Sequence, residues 1–257
     1  MIDVHCHLTG GEYPDIESVL FHAKQNGVSR MICSGFDLDS SYIAAELAKK
    51  YDGVYFTAGF HPSELDKYKE GDLERLKILC THEKCVAVGE IGLDYHFDDN
   101  PAKETQKELF IAQLKIADEL ELPVVLHSRD AAFDTLTLLK EQIGLLKKGG
   151  LLHCYSYSPE MVREFAELGL YFSFGGTVTF KNAKKVQESC KSVPADRLLT
   201  ETDCPYLTPV PKRGEFPNEP KNVKHVYEFL TELLNISQEA LEKQVEENAK
   251  TLFFKLK

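Results

Sequence analysis

The chain has 257 residues, of which 43% are hydrophobic and 28% are charged, and its formal net charge is −11. This composition is ordinary for a globular protein with one large domain or two smaller ones, and it excludes a disordered chain. Proteins that bind long nucleic acid through their overall charge are basic, so this acidic chain could engage nucleic acid only locally, with metal cations supplying the positive charge.

Short β-rich runs alternate with amphipathic helical stretches along most of the chain. The runs that predict strands are 2–7, 29–35, 54–61, 85–91, 123–128, 150–155, 171–176 and 197–203. Apolar residues recur at three- and four-residue spacing in the stretches that predict helices, namely 15–26, 40–50, 103–121, 131–142, 159–169 and 183–192. Two more predicted helices, 219–234 and 237–254, end the chain, with Ser158 and Ser237 as predicted caps. The proline-rich segment 204–218 predicts a shaped loop over one mouth of the fold.

Eight strands that alternate with helices predict a single-domain α/β protein, a (β/α)₈ TIM barrel over residues 1–257. The alternative is a doubly wound open sheet, which predicts a phosphate-binding glycine loop after the first strand. Gly10-Gly11 lacks the spacing of such a loop. The seven cysteines include no CxxC pair, so we expect reduced core thiols. We see neither a signal-peptide pattern nor an apolar run of the roughly 18–20 residues that span a bilayer, and we expect a cytoplasmic protein without membrane contact.

Imidazoles and carboxylates gather at the C-terminal ends of the predicted strands, where barrels of this kind carry their chemistry. His5 and His7 flank Cys6 and therefore point to the same side of the first strand. The other strand-end residues of these two types are His61, Glu90, His127, His153 and Asp203.

This donor set suits divalent cations, with Zn, Mn, Mg, Fe, Co and Ni all possible. Six ligands exceed the needs of one four-coordinate ion, so we predict two ions about 3.5–4 Å apart. Glu90 would bridge them, with His5, His7 and Asp203 on one ion and His127 and His153 on the other. The alternatives are hydrogen-bonded core histidines, an Asp203 that caps a loop, and a Glu90 that pairs with an arginine.

Several motifs occur in order along the whole chain: D-V-H-C-H at 3–7, G-F-H-P at 59–62, G-E-I-G-L-D-Y at 89–95, L-P-V-V-L-H-S-R-D-A at 122–131, H-C-Y-S at 153–156, F-S-F-G-G-T-V-T-F-K-N-A at 172–183 and E-T-D-C-P-Y-L-T-P at 201–209. With these motifs the chain resembles the TatD family of metal-dependent hydrolases, within the wider amidohydrolase-like barrels. The resemblance implies a barrel with one or two metals that hydrolyses phosphodiesters, usually as a deoxyribonuclease. It implies the same six metal ligands, with His61 and Arg129 as substrate contacts. Leu8-Thr9-Gly10 and Tyr157 depart from the family pattern, which puts substrate fit in doubt rather than the metal site.

The resulting hypothesis is a divalent-metal-dependent phosphodiesterase that cleaves DNA with a metal-activated water at the barrel rim. Asp203 and Glu90 would be catalytic, and His61 and Arg129 would bind substrate, unless Arg129 pairs with Asp130 or Asp94. Tyr206 would stack on a base or pack in the core. The alternatives are hydrolysis of carboxylic esters or amides, as on aminoacyl-tRNA, and a non-catalytic binding protein. No obligate protein partner is evident.

Overall fold

The computed structural model describes all 257 residues and contains one sheet of eight parallel strands in sequential order. The strands are β1 (Ile2–Cys6), β2 (Arg30–Ser34), β3 (Val54–Ala58), β4 (Cys85–Asp94), β5 (Val124–Arg129), β6 (Gly150–Leu152), β7 (Leu170–Phe174) and β8 (Leu198–Thr200). The sheet curls until the segment after β8 meets β1, where Asp203 N–H donates to the His5 carbonyl at 3.0 Å and His7 N–H donates to the Cys204 carbonyl at 2.7 Å. The predicted barrel is confirmed, and the open-sheet alternative is wrong.

Helices connect the strands and cover the outside of the barrel. They are α1 (Ile16–Gln25), α2 (Leu38–Lys50), α3 (Asp72–Cys80), α4 (Lys103–Glu119), α5 (Ala132–Glu141), α6 (Pro159–Ala166), α7 (Lys184–Ser192), α8 (Val223–Leu234) and α9 (Gln238–Leu252). The predicted cap Ser237 accepts from Ala240 N–H at 3.2 Å. Ser158 also precedes its helix, with Pro159 at the first position, but its side chain makes no capping hydrogen bond. None of these helices is long and apolar enough to cross a membrane.

No helix was predicted over Asp72–Cys80, which forms α3. This helix has only nine residues, and Gly71 precedes it without a side-chain capping bond, so the usual start signal is absent. The buried residues Leu76 and Cys80 hold it against the barrel. Tertiary packing rather than local sequence therefore specifies this helix.

The strands are buried on both faces, as parallel strands covered by helices must be. Every residue of β1, β3, β4 and β7 is buried, and one continuous core includes 67 buried hydrophobic residues. All seven cysteines are unpaired and six of them are buried, which confirms the expectation of reduced core thiols.

Several strands are shorter than predicted, and this changes how the polar residues are held. His7, His61, His153 and Asp203 lie just beyond the strands, in the loops at the carboxyl end of the barrel. Strand β4 is longer than predicted, so Glu90 lies inside it and Asp94 ends it. The proline-rich segment 204–218 lies at this mouth, where Pro205 and Tyr206 line the central cavity.

Candidate metal centre

A first cluster of ligand atoms lies where β1 meets the segment after β8. His5 Nε2 and His7 Nε2 are 3.1 Å apart. Glu90 Oε2 lies 3.4 Å from the first nitrogen and 3.5 Å from the second. Asp203 Oδ1 lies 3.7 and 3.5 Å from the same two nitrogens. Ligand atoms at the corners of a tetrahedron around a metal ion are about 3.3–3.6 Å apart. The distances from each carboxylate oxygen to the two imidazole nitrogens are close to this range, which suits a shared divalent ion.

A second cluster forms around the other oxygen of the same carboxylate. Glu90 Oε1 lies 2.9 Å from His127 Nδ1 and 2.8 Å from His153 Nε2. These two nitrogens are 3.3 Å apart. Glu90 is 3% exposed, and it presents one oxygen to each cluster. A carboxylate placed in this way can contact a different cation through each of its oxygens.

Hydrogen bonds on the far side of the rings orient the imidazoles towards the clusters. His7 Nδ1 lies 3.0 Å from the Ser34 carbonyl, which can only accept, so Nδ1 carries a proton and Nε2 faces the cluster. His5 Nδ1 lies 3.0 Å from Ser34 Oγ. His127 Nε2 lies 3.0 Å from Asp94 Oδ2. Such outer partners are typical of metal-binding histidines, so these side chains suit the predicted divalent cations.

The charges in the site keep its carboxylates in the form that binds cations. Burial alone would raise the pKa of Glu90, but the imidazoles of His153, His61 and His5 hold that pKa well below its usual range. Burial opposes the charged form of His7, yet Asp203 and Glu90 together raise its pKa to about 9.

A buried carboxylate on β1 fixes the loop that carries Asp203. Asp3 Oδ1 accepts from Thr202 N–H at 2.9 Å, and Asp3 Oδ2 accepts from Thr202 Oγ1 at 2.6 Å. Asp3 is fully buried. It therefore anchors the backbone immediately before Asp203 and places that side chain beside His5 and His7.

A second buried carboxylate fixes the loop that carries His153. Glu201 Oε1 accepts from Cys154 N–H at 2.7 Å, and Glu201 Oε2 accepts from Ser173 Oγ at 2.5 Å. His153 Nδ1 is buried, has no hydrogen-bond partner and lies 3.8 Å from Glu201 Oε1. A small movement of the His153 ring would complete a hydrogen bond with this carboxylate.

His61 reaches the second cluster with a defined tautomer. Its Nδ1 accepts from Ser63 N–H at 3.1 Å, so the proton of the neutral ring is on Nε2. That nitrogen lies 3.5 Å from Glu90 Oε1. Burial and the neighbouring His127 lower the pKa of His61 to about 3. His61 is therefore a neutral hydrogen-bond donor that faces the clusters.

The clusters open into a cavity of about 380 Å³ whose rim carries aromatic side chains. Tyr206 is 56% exposed and Phe97 is 51% exposed, so Tyr206 does not pack in the core. The guanidinium of Arg129 lies 5.0 Å from the centre of the Phe97 ring. Arg129 forms no salt bridge, because Asp94 pairs with His127 and Asp130 pairs with His96. The rim thus offers an unpaired cation and apolar ring faces.

No role was predicted for Ser34 or Glu201, and Asp94 was predicted only as an alternative partner of Arg129. Asp94 ends β4 and Glu201 directly follows β8, next to apolar runs where an unpaired buried carboxylate would be costly, and this was the available signal. Ser34 carried no such signal.

Tyr157, which departs from the family pattern, packs beside the site. Its hydroxyl lies 2.8 Å from Ser128 Oγ and accepts from Ala131 N–H at 3.2 Å, which joins the loop after β6 to the end of β5.

The model of the family described as TatD related DNase matches residues 2–254. The chain belongs to the TatD family. It is 46% identical over 254 residues to an uncharacterized metal-dependent hydrolase, YabD, of Bacillus subtilis, a match that covers 98% of each chain. It is 34% identical over 258 residues to the 3'-5' ssDNA/RNA exonuclease TatD of Klebsiella pneumoniae, which covers 98% of this chain and 97% of that one.

Solved structures of TatD-family proteins share the whole fold. The TatD homolog YJJV of Escherichia coli superposes with a TM-score of 0.93 at 34% identity, covering 99% of this chain and 98% of that one. A TatD-family hydrolase of Entamoeba histolytica has a TM-score of 0.88 at 26% identity, with the same coverage. The chain is thus a metal-dependent hydrolase of the TatD family.

Proposed function

We propose that this chain is a phosphodiesterase that hydrolyses nucleic acid, with single-stranded DNA as substrate, by means of two divalent cations. The observation that carries the proposal is the placement of Glu90, which directs one oxygen to each of two ligand clusters. Two ions held about 3.5–4 Å apart are the arrangement used by many phosphatases and nucleases. The TatD relative of Klebsiella pneumoniae named above, an ssDNA/RNA exonuclease, supports the same substrate class.

The residues of the two clusters would hold the cations. His5, His7, Asp203 and Glu90 would bind one ion, and Glu90, His127 and His153 would bind the other. Nitrogen ligands in this proportion favour Zn, Mn, Fe, Co or Ni over Mg. When bound, such ions lower the pKa of water to near neutrality and offset charge on phosphoryl oxygens.

The remaining side chains would position the phosphate and move a proton. His61 would donate from Nε2 to a phosphoryl oxygen, since its tautomer and neutral state suit that role. Arg129 would hold a second phosphoryl oxygen with its planar fork, because it has no carboxylate partner. Asp203, at the mouth of the cavity, would accept the proton of the attacking water.

The aromatic rim favours a single strand over a duplex. Tyr206 and Phe97 expose ring faces beside the cavity, and unpaired bases stack on such faces without regard to sequence. The chain is acidic overall, so contact with the phosphate backbone would be confined to the cavity and its rim. This combination fits a short single-stranded end.

A substrate panel tests the proposal. Single-stranded DNA, duplex DNA, aminoacyl-tRNA and small esters and amides would be offered to the metal-free protein after addition of Mn²⁺, Zn²⁺ or Mg²⁺. We expect metal-dependent cleavage of single-stranded DNA, its loss in His127→Ala, and full activity in His22→Ala, which removes a half-exposed imidazole on α1. Cleavage of carboxylic esters or amides without any phosphodiester cleavage would contradict the proposal.

A further inference from the structure

Asp94, at the end of β4, contacts His127 from the side opposite Glu90. Its Oδ2 lies 3.0 Å from His127 Nε2, whereas Glu90 Oε1 lies 2.9 Å from His127 Nδ1. The imidazole is therefore held between two carboxylates. It differs in this from His5, His7 and His153, which all direct Nε2 at Glu90.

Asp94 is itself held rigidly by the chain around it. Its backbone N–H donates to Gln106 Oε1 at 2.8 Å, and Gln106 Nε2 donates back to the Asp94 carbonyl at 2.9 Å. Asp94 Oδ1 accepts from His96 N–H at 2.9 Å. Asp94 is 3% exposed, and Gln106 belongs to α4. Asp94 thus connects the helix that follows β4, through its main chain, to a histidine on β5, through its carboxylate.

We propose that Asp94 is a positioning residue for the second cluster, and that it sets the affinity of that cluster alone for its cation. It keeps the ring proton of His127 on Nε2, which leaves the Nδ1 lone pair directed at the space between Glu90 and His153. Without Asp94 the ring could carry the proton on either nitrogen and could rotate. The inference rests on the proposed pair of ions.

The first cluster offers a matched control. Ser34 Oγ lies 3.0 Å from His5 Nδ1 and plays there the part that Asp94 plays for His127. The Ser34 carbonyl, which holds His7, remains in a Ser34→Ala variant. Changes at Asp94 and Ser34 should therefore weaken different ions. Asp130→Asn controls for charge, because this exposed carboxylate at the same rim contacts His96 rather than a predicted ligand.

The experiment is calorimetric titration of the metal-free proteins with Mn²⁺ and with Zn²⁺, with bound metal counted by elemental analysis. We expect two ions in the parent chain. Asp94→Ala should weaken one ion by roughly 10–100-fold and leave the other unchanged. Asp94→Asn keeps an acceptor for Nε2–H and should lose less. Ser34→Ala should weaken the other ion, and Asp130→Asn neither.

The electron paramagnetic resonance spectrum of bound Mn²⁺ distinguishes the outcomes further. The parent chain should give the signal of a coupled ion pair, and Asp94→Ala at limiting metal should give that of a single ion. Two ions bound to Asp94→Ala with parent affinity, or equal weakening of both, would overturn the inference while the proposed function stands. A single ion in the parent chain would overturn the two-ion proposal itself. If Asp94→Ala does not fold, Asp94→Asn and Ser34→Ala decide.

Discussion

Replacing Gly92 by alanine should destabilise the protein and displace a predicted metal ligand at the same time. Gly92 lies in β4 with a φ of +145°, a conformation that side chains rarely adopt, and it pairs with His127 of β5. A Cβ at this position would lie 1.9 Å from the His127 carbonyl oxygen and 2.9 Å from its carbonyl carbon. Both atoms belong to the backbone, so only a movement of one strand against the other could relieve the overlap.

The magnitude follows from two costs. A non-glycine residue in such a conformation costs about 1–3 kcal/mol. Forcing extra atoms into a packed interior costs about 1–3 kcal/mol more. The free energy of unfolding should therefore fall by about 2–6 kcal/mol. In a chain of this size that lowers the melting temperature by roughly 4–24 °C. Because the strand movement displaces His127, the affinity of the second cluster for its ion should also fall.

Thermal unfolding of the metal-free proteins, followed by circular dichroism, measures the first effect, and Mn²⁺ titration measures the second. Gly144→Ala is the matched control, because nothing lies within 4 Å of its Cβ position and its φ is not positive. Its stability should stay within about 0.5 kcal/mol of the parent. A Gly92→Ala protein that melts with the parent and binds two ions as tightly would refute the reasoning.

Three other changes test the site. Tyr206→Ala should lower kcat/KM for single-stranded oligonucleotides by roughly 5–150-fold, the equivalent of about 1–3 kcal/mol of stacking per base, but should leave kcat/KM for methyl 4-nitrophenyl phosphate unchanged. Phe133 is exposed and lies outside the cavity, so Phe133→Ala should change neither value, and equal losses on both substrates in Tyr206→Ala would contradict a stacking role. Glu90→Gln should lose bound metal and turnover together, since an amide offers only one oxygen; full metal content with full turnover would disprove bridging. Chelation should lower the melting temperature, and Mn²⁺ should restore it, because the cations bind only the folded state; a melting temperature insensitive to metal would count against a metal centre.

The sequence predicted the barrel because its strands are buried on both faces and therefore appear as continuous apolar runs. All eight strands of the structure fall on predicted runs, and the closing contacts between β1 and the segment after β8 follow from their order. Boundaries were less certain: β6 ends at Leu152, before His153, and β8 ends at Thr200, before Asp203. The ends of each strand depend on hydrogen bonds to neighbouring strands, and the local sequence pattern contains no information about those bonds.

By itself the sequence determined the chemical types of the candidate site: imidazoles and carboxylates that follow apolar runs, and motifs shared with one family. The sequence also predicted their grouping around Glu90, and only the tertiary structure decided which atoms face which cluster. It assigned each oxygen of Glu90 to a different cluster and turned His127 so that Nδ1 faces Glu90. It also brought Asp94 and Ser34 behind the rings. These contacts join residues distant in the chain at separations near 3 Å, and barrel closure and packing fix such distances.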